Sequence, residues 1–129
     1  THRRRPLLAR SEVEQLLLRA WSASNAWCVG RYVLMPDHLH IICAPGSHEA
    51  RPMSEWIKHW KSWASARWPN PGEQPVWQSN YWDRQLRSEE HYQTRWRYIR
   101  NNPVRHGLVA RPEEWPFQGE PTRLQFRDR

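Results

Sequence analysis

At 129 residues the chain is long enough for one domain with a real hydrophobic core. It carries 20 basic and 13 acidic residues for a formal charge of +7, and because only Lys58 and Lys61 are lysines, arginine supplies nearly all of the positive charge. No run approaches the roughly 18 apolar residues of a membrane span, no signal-peptide pattern opens the chain, and Cys28 and Cys43 are too few for a disulfide framework, so a cytoplasmic protein with free thiols is expected.

Arginine's planar fork donates to phosphate in bidentate fashion and stacks on bases. The ten tryptophans exceed what a core of this size requires, and base stacking is a natural use for a minority of them while the majority pack inside. Together these features favour nucleic acid over an acidic protein as partner, without choosing a strand form.

The first helix is expected from about Glu12 to Ser24, opened by an S-x-x-E capping box of Ser11 and Glu14 and striped by Val13, Leu16, Leu17 and Ala20. Strands follow at 27–35 and 38–43, joined as an antiparallel hairpin by a turn at Pro36-Asp37. A loop opening at Pro45 leads to a second helix over Met53–Arg67, with Trp56, Ile57, Trp60, Trp63 and Ala64 on one side. Lys58, Lys61 and Arg67 fall on its other faces, where a solvated surface and a DNA contact are equally open. After a turn-rich connector at 69–75 the chain returns to strand character over 76–86. A third helix starts near Ser88 as N-cap and carries Trp96, Tyr98 and Ile99 until Pro103 ends it. From Pro112 a proline-bearing tail is expected on the surface, with 118–129 as its end. Helices alternating with antiparallel strands read as a single α+β domain over 1–129, with the helices covering one face of the sheet.

Two segments carry chemistry. In YVLMPDHLHIIC, residues 32–43, His38 and His40 flank Leu39, so both imidazoles project from one face of a strand while Leu39 turns to the core. Their Cβ atoms then lie about 6–7 Å apart. That spacing lets two imidazoles lean onto one divalent ion, and it equally suits an ordinary half-exposed strand. A zinc quartet with Cys28 and Cys43 is disfavoured, because Cys43 lies three residues beyond His40 and turns to the opposite face. In RYIRNNPVRHGLV, residues 97–109, Tyr98 sits in the helix that precedes Pro103. His59, His91 and His106 have no partner at metal-ligand spacing.

In this order, MPDHLH and YIRNNPVRHGLV resemble the metal-binding strand and the nucleophile helix of the single-tyrosine HUH transposases, and within them the REP-associated tyrosine transposase-like branch. The segments WIKHWKSWA at 56–64, VWQSNYWDRQLRS at 76–88 and ARPEEWPF at 110–117 fit as well, so the resemblance runs from about Arg3 to Phe117. It implies a ferredoxin-like antiparallel sheet with the catalytic Tyr98 on a C-terminal helix. Relatives carry a strand before the HRRRP-like segment, and here the sequence starts at Thr1, so either it is clipped before that strand or the sheet lacks its first edge strand.

The resemblance further implies a metal-dependent single-stranded DNA endonuclease and strand transferase. His38 and His40 would hold Mg²⁺ or Mn²⁺, and Tyr98 would attack phosphorus, leaving a 5′-phosphotyrosine and a free 3′-OH. Asn102, four residues after Tyr98 and so on the same helix face, is a weaker third ligand. Relatives place a glutamine there, Pro103 biases Asn102 away from helical geometry, and a C-terminal helix cap is the equal alternative. Asp37 is a candidate for orienting an imidazole from behind. Lys58, Lys61, Arg95, Arg97, Arg100 and Arg105 are candidate contacts to the phosphates of a single-stranded hairpin DNA. The protein would work as a monomer or a homodimer. A second reading, of a different class, is a structured-DNA-binding module without catalysis; a third replaces Tyr98 by water as the attacker.

Overall fold

The computed structural model describes residues 6–46, 52–77 and 89–124. Two strands, β1 (Trp27–Leu34) and β2 (Leu39–Pro45), pair antiparallel around the Pro36-Asp37 turn, with Leu34 opposite Leu39. The hairpin closes where the Met35 amide donates to the His38 carbonyl at 2.8 Å. Val29 pairs with Cys43 and Arg31 with Ile42, which leaves Gly30 as an extra residue in β1. The Leu124 side chain lies against Gly30 where a side chain would otherwise stand. This bulge resets the alternation of the strand. Val29 and Tyr32 consequently share one face, and Arg31 and Val33 the other.

Each face has its own core. On the first, α1 (Ser11–Ala23) and α2 (Met53–Ala66) pack against Trp27, Val29, Tyr32, Leu34 and Cys43. On the second, α3 (Glu89–Arg100) lays Tyr92, Trp96 and Ile99 onto Val33, Met35 and Ile42. Those three residues recur at i, i+4 and i+7, one stripe of a helix. The α+β antiparallel architecture is as expected, but the helices do not all share a face. α1 and α2 cover one side of the sheet and α3 the reverse, because β1 and β2 present apolar side chains in both directions. Arg31 anchors α3 from beneath, its guanidinium 4.7 Å from the Trp96 ring and its Nε donating to the Tyr92 hydroxyl at 3.0 Å.

Several local expectations change. The capping box of α1 does not form: Arg10 is the N-cap, with no side-chain cap bond, and Ser11 is already helical. The Glu14 carboxylate is drawn instead to the Tyr32 hydroxyl, which donates to it at 2.6 Å and ties α1 to β1. α1 is also fastened at its start, where Arg10 forms a two-pronged pair with Glu73 at 3.2 and 2.8 Å. The tryptophans serve the core: Trp21, Trp27, Trp56, Trp60, Trp68, Trp96 and Trp115 are all buried. Cys28 and Cys43 are not joined in a disulfide, and Cys43 faces the α1 and α2 layer, away from the face of the two histidines.

Pro103 does not end the helical region. The backbone breaks at Asn101 (φ −85°, ψ −3°) and restarts as a short α4 (Asn102–Arg105), with Pro103 in its first turn, where its missing N–H costs nothing. Nor does the C-terminal segment trail over the surface. Trp115 is buried and its indole N–H donates to the Leu34 carbonyl at 3.1 Å. β3 (Gln118–Gly119) then pairs antiparallel with Tyr32 and Val33, giving the sheet order β2-β1-β3. Val76 and Trp77 are not in a strand, and the rest of the strand expected over 76–86, with the Ser88 cap, lies outside the described residues. Among the described residues no helix is long and apolar enough to cross a membrane.

Candidate functional site

Strand alternation places His40 on the same face as Ile42, the face that α3 covers, while Leu39 and Ile41 pack into the opposite layer. The His38 and His40 rings meet edge to face, with centroids 4.8 Å apart and planes at 86°. Asp37 and His38 Nδ1 are 2.7 Å apart. A carboxylate accepts only, so the Nδ1 that faces it carries a proton, and in the neutral ring that tautomer leaves the lone pair on Nε2. His40 is held neutral. Burial first, then the charges of His38, Arg105, Arg95 and His106, bring its pKa down to about 4. Its Nε2 is buried without a hydrogen-bond partner among the described residues.

A second orphan belongs to α4. Asn102 is 6% exposed, and its side-chain oxygen Oδ1 is likewise buried without a partner among the described residues. Tyr98, four residues earlier and across the break at Asn101, stands 57% exposed on α3, so the two residues differ sharply in burial. Asn102 is not a C-terminal cap. That role falls to Asn101, whose side-chain amide donates to the Arg97 carbonyl at 2.8 Å.

The turn of α4 brings in two further side chains. His106 stands with its ring centroid 6.0 Å from that of His38 and its Nδ1 2.9 Å from the Asn102 carbonyl. Arg105 lies over the Tyr98 ring at 4.0 Å and donates from Nη2 to the Tyr98 carbonyl at 2.8 Å. The sequence sets Arg105 near Tyr98 as a phosphate contact but shows neither its stack on the ring nor the approach of His106 to His38; the Asn-Asn-Pro triplet was the available signal for the helix break.

Arg97 is exposed and Arg95 and Arg100 are partly so, which leaves a cationic rim along α3 beside the histidines. The two lysines do not join that rim. They ride on α2, on the other side of the sheet, where Lys58 is exposed and Lys61 lies over the Trp77 ring at 5.4 Å. Burial lowers the Lys61 pKa.

The donor set fits a divalent ion by its chemistry. Imidazole nitrogens and a carboxamide oxygen are ligand types such ions accept, and two of those atoms, His40 Nε2 and Asn102 Oδ1, are buried polar groups with no partner among the described residues, which is otherwise costly. Among the described residues no three His, Cys, Asp or Glu side chains gather as a metal site.

No family model matches the chain. The REP-associated tyrosine transposase of Escherichia coli (strain K12) is 31% identical over 93 residues, which are 72% of this chain and 51% of that protein. The chain thus spans about half the length of this curated relative. A solved structure of the REP-associated tyrosine transposase bound to a REP hairpin matches with a TM-score of 0.74 at 26% identity, covering 91% of this chain and 69% of that one.

Proposed function

The chain belongs to the REP-associated tyrosine transposase family, and from that premise we propose that it cuts and rejoins single-stranded hairpin DNA through a covalent bond to Tyr98. The observation that carries the reading is one of placement. The histidine pair at the start of β2, with His38 just before the strand and His40 in it, and the tyrosine helix α3, 58 residues apart between His40 and Tyr98, lie on the same side of the sheet.

In this reading Tyr98 Oη attacks the phosphorus of a scissile linkage, forms the 5′-phosphotyrosine and expels the 3′-oxygen, which leaves as a free 3′-OH. The exposed position of Tyr98 gives a strand access to its hydroxyl. Reversal of the same step with another 3′-OH rejoins DNA, and no external energy is needed because the phosphoester count is unchanged. His38, His40 and, less strongly, the Asn102 amide are the residues that would hold Mg²⁺ or Mn²⁺. A bound divalent ion supplies Lewis-acid polarisation of a non-bridging phosphate oxygen. Asp37 fixes the His38 tautomer that keeps Nε2 available. Arg95, Arg97 and Arg100 hold backbone phosphates next to the nucleophile, in a sequence-blind and salt-sensitive manner. Lys58 and Lys61, on the far layer, serve a different stretch of the same backbone. The REP hairpin held by the structural relative supports a hairpin as the substrate class.

The test is a denaturing gel of the protein mixed with labelled single-stranded hairpins, in Mn²⁺ or EDTA, beside Tyr98→Phe. A label that migrates with the protein only in metal and only with Tyr98 supports the reading. Tight binding that ignores chelation and yields no adduct supports a non-catalytic DNA-binding module instead.

A further inference from the structure

We infer that Arg105 is a positioning residue for Tyr98, holding the exposed ring in a single orientation by stacking on its face while its Nη2–H anchors to the Tyr98 backbone carbonyl. The inference rests on the reading of Tyr98 as nucleophile.

The problem it answers is one of freedom. A tyrosine that is 57% exposed on a helix has little packing to fix its rotamer, and ordering it at the moment of reaction costs rate. Tyr92, one and a half turns earlier on the same helix, is 4% exposed and fixed by the core, so burial cannot do for Tyr98 what it does for Tyr92. The chain solves this from the next element. Because the helix breaks at Asn101 and restarts with Pro103 in the first turn of α4, Arg105 swings back across the last turn of α3. Its guanidinium carbon sits 4.0 Å from the ring centroid, and the Nη2 donor reaches the carbonyl at 2.8 Å. Both contacts come from one planar group: the π face meets the ring while an in-plane N–H is spent on the backbone. A lysine ammonium offers one or the other. Arg105 is also among the charges felt by His40, so the side chain that clamps the tyrosine stands within electrostatic reach of the histidine pair. Arg95, Arg97 and Arg100 have no ring stacked beneath them among the described residues, which sets Arg105 apart from an ordinary phosphate contact.

The experiment compares wild type, Arg105→Ala and Arg105→Lys in two measurements. The first is the rate of protein–DNA adduct formation at saturating hairpin, with the hairpin Kd measured separately. Loss of the clamp is expected to slow the saturated rate about ten-fold while Kd stays within about two-fold, and lysine should not restore the rate. Weaker binding with an unchanged saturated rate, or full rescue by lysine, would overturn the inference, since each describes a residue that supplies charge to the phosphates. The second measurement needs no substrate: ¹⁹F NMR of protein labelled with 3-fluorotyrosine, with the Tyr98 resonance assigned from its loss in Tyr98→Phe. That resonance should move toward the free-tyrosine position in both Arg105 variants, and a resonance that does not move would overturn the inference. An adduct that persists in Tyr98→Phe would sink the nucleophile reading instead, and the ¹⁹F result would still report whether Arg105 holds the ring.

Discussion

The imidazole of His38 meets that of His40 edge to face, with ring centroids 4.8 Å apart. Two imidazole rings so close, one oriented by Asp37 and the other with a buried Nε2 lacking a partner among the described residues, make a half-built ligand set. Mn²⁺ should therefore bind the protein in the absence of DNA. His38→Ala or His40→Ala should abolish this binding, and Asp37→Asn should weaken it about ten-fold by releasing the tautomer. Titration calorimetry with Mn²⁺ alone reads all three variants.

Tyr32 couples stability to alkaline pH. Burial first, then its hydrogen bond to Glu14 and the Glu14 charge, raises its pKa well above the ordinary tyrosine value near 10. A group whose folded pKa is raised contributes stability that is complete below its unfolded pKa and is lost as pH climbs past it. Urea unfolding should show stability falling above about pH 10, with the slope reduced in Tyr32→Phe. An unchanged slope in that variant would place the loss elsewhere.

Trp115 closes the end of the sheet. It is 9% exposed, donates to the Leu34 carbonyl at 3.1 Å and packs on Phe117 with centroids 5.6 Å apart. Trp115→Ala should cost about 3–5 kcal/mol and Trp115→Phe, which mainly removes the hydrogen bond, about 1 kcal/mol. Chemical denaturation distinguishes these from the near-zero effect expected of a surface tail.

The division of basic residues between the two layers predicts additive contributions to DNA binding. Arg97→Ala and Lys58→Ala should each reduce the salt slope of hairpin affinity by about one, and the double variant by about two. Only Arg97→Ala should slow adduct formation, because only Arg97 is on the tyrosine helix. Fluorescence anisotropy across a salt series reads the slopes.

The sequence was most informative where a short period met an apolar partner. The hairpin around Pro36-Asp37 and the stripe of α2 were legible because local spacing alone sets them. The expected closeness of His38 and His40 is met, although β2 begins only at Leu39 and His38 reaches its neighbour from the end of the turn. What escaped was non-local. Glu14 looked like a capping-box residue until Tyr32, 18 positions away, competed for its carboxylate. α3 was assigned to the same face as the other helices because nothing in its own residues says which side of a sheet it covers; the bulge at Gly30 and the two-sided apolar content of β1 decide that. Pro103 read as a stop, yet a proline in the first turn of a helix is equally a start, and that restart is what carries Arg105 and His106 toward the tyrosine and the histidines.

The central claim is that Tyr98 is the atom-for-atom site of attachment to DNA, and peptide mapping tests it most directly. The protein would be incubated with a pool of single-stranded hairpins in Mn²⁺, denatured, digested with nuclease and trypsin, and examined by tandem mass spectrometry. The account predicts a nucleotide linked through its 5′-phosphate to the peptide Tyr98-Ile99-Arg100, and no such species in EDTA. Cleaved DNA with no protein attached, or a linkage mapped to any other residue, would contradict it.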